Sequence, residues 1–427
     1  MIVVLVGIMF ACLLLGFPMF MCMILSSTVV IFAYLDSMQS TTIIQQLMSG
    51  VDSFALLAIP LFIFAADIMS AGHTARRLIE FVKAFIGHIY GGLGVTMAGT
   101  CTLFGAISGS TQATVVAIGK TMRPMMLESG YKESNVDGLI ISAANIAALI
   151  PPSVTMIMYS VVTGASVGEM FIAGIAPGIL LFIVFSIYQY LSARKNKLPR
   201  SEKTTWAQKG QATLRALLPL GFPVIIVGSI YTGKASPTEA AAISVLYAAL
   251  LEMVVYRTVK IKDLGKIALS TGAVTATLFI LLASGQIFSL VLTYANVPQM
   301  IATGVLGANP SMTTILLWVT IFFFIAGMFV DPLIAVVVVT PIFYGPAMAA
   351  GIDPIWLGII ITIQCILGAI SPPFGCNIFT ACAAFDVPYM RVVKGLPVYM
   401  LIMIALSVIL IFFPQIITFY CIWSREQ

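Results

Sequence analysis

Two parts of the chain repeat the same pattern of turns at a constant offset. In the first part, a Gly/Ser/Thr-rich centre at Ser110 is followed by the pair Pro151-Pro152. In the second part, Asp331 is followed at the same spacing by Pro372-Pro373, so both features recur at one fixed offset further along the chain. Matched interruptions in the two halves of an apolar chain indicate an internal repeat, and in membrane proteins such breaks point to a binding site.

The composition places nearly all of the chain in or beside a membrane. Hydrophobic residues make up 60% of the 427 residues and charged residues 9%, whereas a soluble domain has about 25% charged residues. Many apolar runs approach or exceed the ~20 residues that cross a bilayer as a helix. The N-terminus lacks the basic region of a cleavable signal peptide. The sequence therefore predicts an all-α polytopic membrane protein without a separate soluble domain.

The apolar runs divide the chain into a first repeat, 1–192, and a second repeat, 211–427, joined by a basic linker at 193–210. In the first repeat the sequence predicts scaffold spans within 1–70, an amphipathic arm at 73–88, a hairpin at 93–124, a broken helix at 137–163 and a span at 170–192. In the second it predicts scaffold spans within 212–256, an arm at 257–267, a span at 268–294, a hairpin at 311–346, a broken helix at 353–385 and a span at 395–420.

The segments 93–124 and 311–346 are predicted to be re-entrant helical hairpins because each has a turn at its centre. The stretch Ser108–Gln112 forms helix poorly, and Asp331-Pro332 is a turn pair. With this topology, 19 of the 21 Lys and Arg residues fall in cytoplasmic loops, including the linker, as the positive-inside rule requires. Each half then crosses five times, so the second half is inverted and both termini are periplasmic. The net charge of +5 is loop charge that sets orientation and does not indicate nucleic-acid binding.

The breaks are candidate ion and substrate sites, because a broken helix exposes unpaired carbonyls on one side and N–H groups on the other. Oxygens without formal charge suit Na⁺ better than Ca²⁺ or Mg²⁺, and helix N-termini suit an anion. The first candidate Na⁺ site comprises Ser108, Gly109, Ser110, Thr111, Asn145, Ile150 and Pro151. The second comprises Gly327, Asp331, Pro332, Gly368, Ser371, Gly375 and Asn377. The substrate is assigned to Ser110, Thr111, Ser153, Thr155, Pro373 and Phe374.

Several of these residues have a purely structural alternative. Small residues let membrane helices pack closely without binding any ligand. Asp331 is predicted near mid-membrane, where a carboxylate indicates a functional site, but it is also suited to capping the helix that follows it. The acidic residues nearer span ends are interpreted as capping or interfacial; these are Asp52, Asp67, Glu239, Glu252 and Asp386. The sequence predicts no catalytic residue, no other metal and no cofactor beyond Na⁺ as a coupling ion.

In these motifs the chain resembles the large membrane subunit of tripartite ATP-independent periplasmic (TRAP) transporters, within the ion-transporter superfamily. The motifs are Gly16-Phe17-Pro18, AIPLFIFAADIM ending at Met69, GAISGSTQATVVAIG from Gly105, AALIPPS from Ala147, SPTEAAA from Ser236 and ISPPFG from Ile370. The resemblance implies import of an organic acid, such as sialic acid or a C4-dicarboxylate, across the bacterial inner membrane. It also implies a Na⁺ gradient as the driving force, an elevator mechanism, a periplasmic substrate-binding protein and a small four-helix membrane subunit.

Three alternatives remain at this stage. The first is a self-sufficient anion transporter of the same superfamily, coupled to Na⁺ or H⁺, that needs no binding protein. The second is an intramembrane enzyme, which is disfavoured because Gly105–Gly109 has the wrong spacing for a serine nucleophile motif and neither histidine falls in a predicted span. The third is a passive channel, which the paired broken helices disfavour.

Overall fold

The computed structural model describes residues 1–35, 40–301, 304 and 311–418, and these residues form helices and turns without any β-strand. Seven of the described helical segments are long and apolar enough to cross a membrane. They are Phe54–Ala71, Val167–Lys195, Trp206–Tyr231, Pro237–Val255, Ile261–Tyr294, Met312–Phe329 and Pro332–Ala349. The prediction of an all-α, multi-pass membrane protein is confirmed.

The first half of the chain contains helices α1 to α10. In chain order they are Ile2–Leu14, Met19–Tyr34, Ser40–Ser49, Ala58–Ala71, Thr74–Ile86, Gly92–Ser108, Thr111–Glu128, Glu133–Ala144, Val154–Thr163 and Val167–Lys195. Two 3₁₀ turns, Phe54–Leu57 and Asn145–Ala148, precede α4 and follow α8. Helix α5 coincides with the predicted first arm.

The second half contains helices α11 to α20. In chain order they are Trp206–Tyr231, Pro237–Ala249, Ile261–Tyr294, Val297–Ile301, Met312–Phe329, Pro332–Ala349, Pro354–Ala369, Cys376–Phe385, Tyr389–Lys394 and Pro397–Phe412. A π-helical segment, Leu250–Val255, extends α12.

The sequence offset that relates Ser110 to Asp331 also relates the helices that follow these two residues. Helix α16 begins and ends at that same offset from α7, at Pro332 against Thr111 and at Ala349 against Glu128. Both hairpins break at their predicted centres for local reasons. Gly109, with φ of 60°, ends α6 in the left-handed region, which glycine adopts without strain. Ser110 caps α7, and Asp331 caps α16.

The helical segment before each Pro-Pro pair packs tightly against the preceding hairpin. A Cβ on Gly105 would lie 2.6 Å from Cα of Ala147, and one on Gly368 would lie 2.5 Å from the carbonyl carbon of Gly327. The two halves are also interlocked, because α7 packs against α18 and α16 packs against α9. Each hairpin therefore rests on the broken helix of the other half.

Four features differ from the sequence interpretation. Helix α3 was not predicted, and α13 runs unbroken from Ile261 to Tyr294, so no helix end lies between the arm predicted at 257–267 and the span predicted at 268–294. The linker predicted at 193–210 is shorter, because α10 continues to Lys195 and α11 begins at Trp206. Helix α20 ends at Phe412, short of the predicted 420. The predicted span end at 419–420, the C-terminus and Arg425 lie outside the described residues.

Candidate functional site

A cavity of about 270 Å³ lies where the two hairpin tips meet helices α4 and α13. The first tip contributes residues 108–113, the second contributes residues 331–333, and the first break contributes Ala148, Val154 and Thr155. The rest of the lining consists of Ile63, Ala66, Asp67 and Ser70 of α4, Ser270, Val274 and Leu278 of α13, and Ile366 of α17. The breaks predicted from the two halves therefore converge on one cavity.

A side-chain hydrogen bond joins the two hairpin tips. The Gln112 amide Nε2 donates to Oδ2 of Asp331 over 2.9 Å. The other oxygen of Asp331, Oδ1, accepts from the backbone N–H of Leu333 over 2.9 Å, which is the capping bond expected of a helix N-terminus. Asp331 is thus both a helix cap and a wall of the cavity, so the two interpretations of this residue are compatible. Gln112 was not among the predicted site residues.

A chain of buried hydrogen bonds continues behind the first tip and crosses between the halves. The Thr111 hydroxyl donates to Oδ1 of Asn377 over 3.1 Å. The Asn377 amide donates to Oδ1 of Asn145 over 2.9 Å, and the Asn145 amide donates to the carbonyl of Ile366 over 2.8 Å. Asn145 and Asn377, which the sequence interpretation assigned to separate Na⁺ sites, are therefore bonded directly to each other.

The remaining residues of the first predicted Na⁺ set fall into two groups. At the tip, Ser108 shares a 3.0 Å hydrogen bond with the hydroxyl of Thr114, and Thr114 donates to the carbonyl of Ser110 over 2.8 Å. Gly109 presses against the carbonyl of Pro152, where a side chain would not fit. Ile150 and Pro151 are buried and are not among the described residues that line the cavity. The tip residues thus form a compact group of oxygens.

In the second predicted Na⁺ set, Asp331 and Pro332 line the cavity and the others lie behind it. Gly327 and Gly368 form the close contact between α15 and α17. Ser371 donates to the carbonyl of Leu367 over 2.7 Å, and the N–H of Gly375 donates to the carbonyl of Ser371 over 3.0 Å. The two glycines therefore have a packing role. The two hydrogen bonds of Ser371 fold the loop at the second break back on itself.

The predicted substrate residues are divided in the same way. Ser110, Thr111 and Thr155 line the cavity. Ser153 is buried and caps α9 by accepting from the N–H of Met156 over 3.3 Å. The carbonyl of Pro373 accepts from the Tyr389 hydroxyl. The ring of Phe374 lies 5.5 Å from that of Phe329, and the residue is 53% exposed.

The wall formed by α4 and α13 contains polar residues that sequence reasoning missed. Asp67 accepts at Oδ2 from the hydroxyl of Thr271 over 2.7 Å, and Ser70 and Ser270 lie on the same wall. The sequence signal for this wall is Asp67, an aspartate inside an apolar span, which the sequence interpretation places near a span end. The described cavity lining contains two carboxylates and no Lys, Arg or His.

A separate ionic cluster fixes the far end of the first hairpin. Arg123 on α7 donates from Nε to Oδ1 of Asp137 over 2.7 Å and from Nη2 to Oε1 of Glu133 over 2.6 Å. Arg391 on α19 donates to the same Oε1 over 2.9 Å. The Arg123 guanidinium, by hydrogen bonding to Glu133, lowers the pKa of that carboxyl below its ordinary value. The cluster ties α7, α8 and α19 together.

Oxygen atoms dominate the chemistry of the cavity. Hydroxyls, carbonyls and a carboxylate are the ligands that hard cations prefer. Within the described residues no group of three His, Cys, Asp or Glu side chains could hold a metal ion. The N-terminal turn of α7 also faces the cavity through residues 111–113. The Ala113 N–H bonds Oγ of Ser110 over 3.4 Å, and the N-terminus of a helix suits a carboxylate. The arrangement can therefore accommodate a cation such as Na⁺ beside a small organic acid.

Comparison with known proteins gives consistent results. Residues 6–416 match the family described as tripartite ATP-independent periplasmic transporter, DctM component. The chain is 49% identical over 419 residues to the ectoine TRAP transporter large permease protein TeaC of Halomonas elongata, covering 97% of this chain and 98% of that protein. It is 48% identical over 412 residues to the ectoine/5-hydroxyectoine TRAP transporter large permease protein UehC of Ruegeria pomeroyi, covering 96% of each.

The fold is also that of a solved transporter. The crystal structure of the YdaH transporter of Alcanivorax borkumensis superposes with a TM-score of 0.63 at 14% identity, covering 87% of each chain. At this identity the likeness concerns the fold alone.

Proposed function

Since the chain belongs to the DctM family of TRAP transporter large permeases, we propose that it carries a small organic acid across the bacterial inner membrane by Na⁺-coupled secondary transport. In this proposal a periplasmic binding protein delivers the substrate, and a small four-helix membrane subunit supports the permease. The hairpins and broken helices move as an elevator against the remaining helices. Both termini lie on the periplasmic side.

The contact between the two hairpin tips carries this proposal. The Gln112–Asp331 bond joins the halves at the cavity, and the Thr111–Asn377–Asn145 chain joins them behind it. Because these bonds join the two repeats, the hairpins and broken helices can move as one body that carries its ligands at the junction. The interlocked packing of α7 on α18 and of α16 on α9 supports the same body.

The oxygens at the tips support Na⁺ as the coupling ion. Ser108, Ser110 and Thr111 supply hydroxyl and carbonyl oxygens at the first tip, and Asp331 supplies a carboxylate at the second. The two tips are chemically unequal, so we propose two unequal ion sites with more than one Na⁺ bound in each cycle.

The composition of the cavity favours a zwitterion as the substrate. Ectoine, the compound for which both similar permeases are named, carries one carboxylate and one delocalised amidinium cation. A C4-dicarboxylate carries two negative charges and would face two carboxylates with no basic side chain in the described cavity lining. Ectoine or a close relative therefore suits this cavity better than the C4-dicarboxylate expected from the sequence, and sialic acid, the other expected acid, has no cationic group to pair with either carboxylate.

Uptake into proteoliposomes tests the proposal. The permease, reconstituted with its small subunit and supplied with its binding protein, should accumulate labelled ectoine when Na⁺ is outside. Replacing Na⁺ by K⁺ or choline should reduce uptake to the level of empty liposomes. Equal uptake in K⁺ would refute Na⁺ coupling. Concentrative uptake by the permease alone would instead support the self-sufficient alternative.

A further inference from the structure

Asp67 is a carboxylate held in place on the cavity wall that α4 and α13 form. It lies in α4, within the apolar stretch AIPLFIFAADIM. The Thr271 hydroxyl on α13 donates to its Oδ2 over 2.7 Å, which orients the carboxylate. Thr271 is buried, so this bond is sheltered from water. Neither predicted Na⁺ set contains Asp67, and its position does not serve to cap a helix.

No positive charge among the described residues pairs with Asp67. None of the ion pairs within the described residues involves it, and the described cavity lining contains no basic side chain. A carboxylate in a membrane span is costly unless it is paired. A partner that arrives with the substrate would compensate this cost only while the substrate is bound.

The cavity wall formed by the first hairpin tip has the complementary character. The N-terminal turn of α7 faces the cavity at residues 111–113, and N–H groups at a helix N-terminus attract a carboxylate. With the proposed Na⁺ offsetting the Asp331 carboxylate at the tips, the cavity has a pole that suits an anion and a pole that suits a cation. A zwitterion can satisfy both, whereas a dianion satisfies only one.

We infer that Asp67 determines substrate specificity by binding, in the conformation of this structure, the cationic group of a zwitterionic substrate, with Thr271 as its positioning residue and the α7 N-terminus receiving the substrate carboxylate. This inference rests on the proposed function and adds to it the residue that discriminates zwitterions from dicarboxylates. Neutralising Asp67 removes the attraction for the cation and, at the same time, the repulsion of a second carboxylate.

The test compares Asp67→Asn with wild type in the complete reconstituted system, using labelled ectoine with succinate as competitor. We expect the apparent KM for ectoine to rise about 10- to 100-fold, the range for loss of a hydrogen bond to a charged group. Succinate should compete better than in wild type, and the Na⁺ concentration for half-maximal uptake should stay unchanged. Thr271→Val should give a smaller shift in the same direction. Asp263→Asn, a carboxylate substitution at the exposed start of α13, should keep wild-type selectivity.

The outcomes separate this inference from the proposed function. If wild type does not transport ectoine, the proposed substrate fails and this assignment fails with it. If wild type transports ectoine and Asp67→Asn does so with unchanged KM and selectivity, only the role of Asp67 is refuted. A shift in Na⁺ dependence without a change in selectivity would make Asp67 an ion ligand and would also overturn the inference. Should Asp67→Asn fail to assemble, Thr271→Val with wild-type KM and selectivity would refute it.

Discussion

Replacing Asp331 separates its capping role from a role in ion binding. In Asp331→Ala the helix loses the bond from the Leu333 N–H and the tips lose the bond from Gln112. Asp331→Asn keeps an oxygen for Leu333, and Gln112 can turn its amide to present its own carbonyl to the new NH₂ group. The two variants therefore differ mainly in how much of the tip contact survives, while both remove the charge.

The bonds of Asp331 determine how much free energy each substitution should cost. A lost cap costs about 1 kcal/mol, and a lost hydrogen bond to a charged group costs about 1.5–3 kcal/mol. Asp331→Ala should therefore destabilise the tip contact by roughly 2.5–4 kcal/mol, and Asp331→Asn by about 1 kcal/mol. If Asp331 also attracts Na⁺ at ~4 Å with an effective dielectric constant near 20, losing its charge weakens that attraction by about 4 kcal/mol. That loss is roughly a thousandfold in ion affinity.

Uptake measured against Na⁺ concentration distinguishes the two roles. An ion ligand predicts a sharp rise in the half-saturating Na⁺ concentration for Asp331→Ala, and a smaller rise for Asp331→Asn if coordination matters more than charge. Gln112→Leu is the matched control, because it breaks the tip contact but keeps the carboxylate and the cap. An unchanged Na⁺ curve in Asp331→Ala, together with a lower melting temperature, would show that Asp331 is only a cap.

Three further predictions concern topology and packing. Cysteines introduced at Asn196 and Lys262 should react with an impermeant reagent from the cytoplasm and one at Lys234 from the periplasm; labelling of 196 and 234 from the same side would contradict the inverted repeat. Gly368→Ala should lower stability by about 1–3 kcal/mol because its Cβ meets the backbone of Gly327, whereas Gly345→Ala, which meets nothing within 4 Å, should melt close to wild type. Arg123→Ala leaves the fully buried Asp137 side chain without its cation and should lower the free energy of unfolding by about 3–5 kcal/mol. Arg76→Ala, at the exposed pair with Glu80, should lower it by less than about 1 kcal/mol. Equal melting temperatures for the two variants would refute this distinction.

The sequence predicted those features that local chemistry determines. The breaks at Ser110 and Asp331 were found because capping residues and turn pairs act within a few residues, and the Pro-Pro pairs end helices wherever they occur. The continuity of α13 was missed because its charged start suggested a separate surface arm, although no proline or helix-ending turn separates Lys266 from the apolar run that follows. Helix α3 was missed because it spans only 10 residues, fewer than the window of about 11–18 residues over which helical periodicity is read.

The candidate site was predicted in part, because its partners lie far apart along the chain. Thr111 and Asn377 were each identified from the polarity of a break, but nothing in the sequence pairs them. The bonds of Gln112 to Asp331 and of Thr271 to Asp67 depend on which helix faces which. The sequence predicted that the breaks meet, whereas the residues that join them are identified only in the three-dimensional arrangement.

The bonding pattern at the junction also bears on coupling between the proposed ion sites. Thr111 and Gln112 are adjacent at one tip, yet Thr111 bonds the second broken helix at Asn377 and Gln112 bonds the second tip at Asp331. Asn377 in turn bonds Asn145 beside the first break. A cation that binds oxygens at one break would therefore compete for side chains that also hold the other break in place. Any such coupling must be reciprocal, since an ion that changes the affinity of the second site is itself bound with an affinity changed by the same factor. In the proposed mechanism, unequal tips that share partners would thus let two Na⁺ ions and one substrate move together.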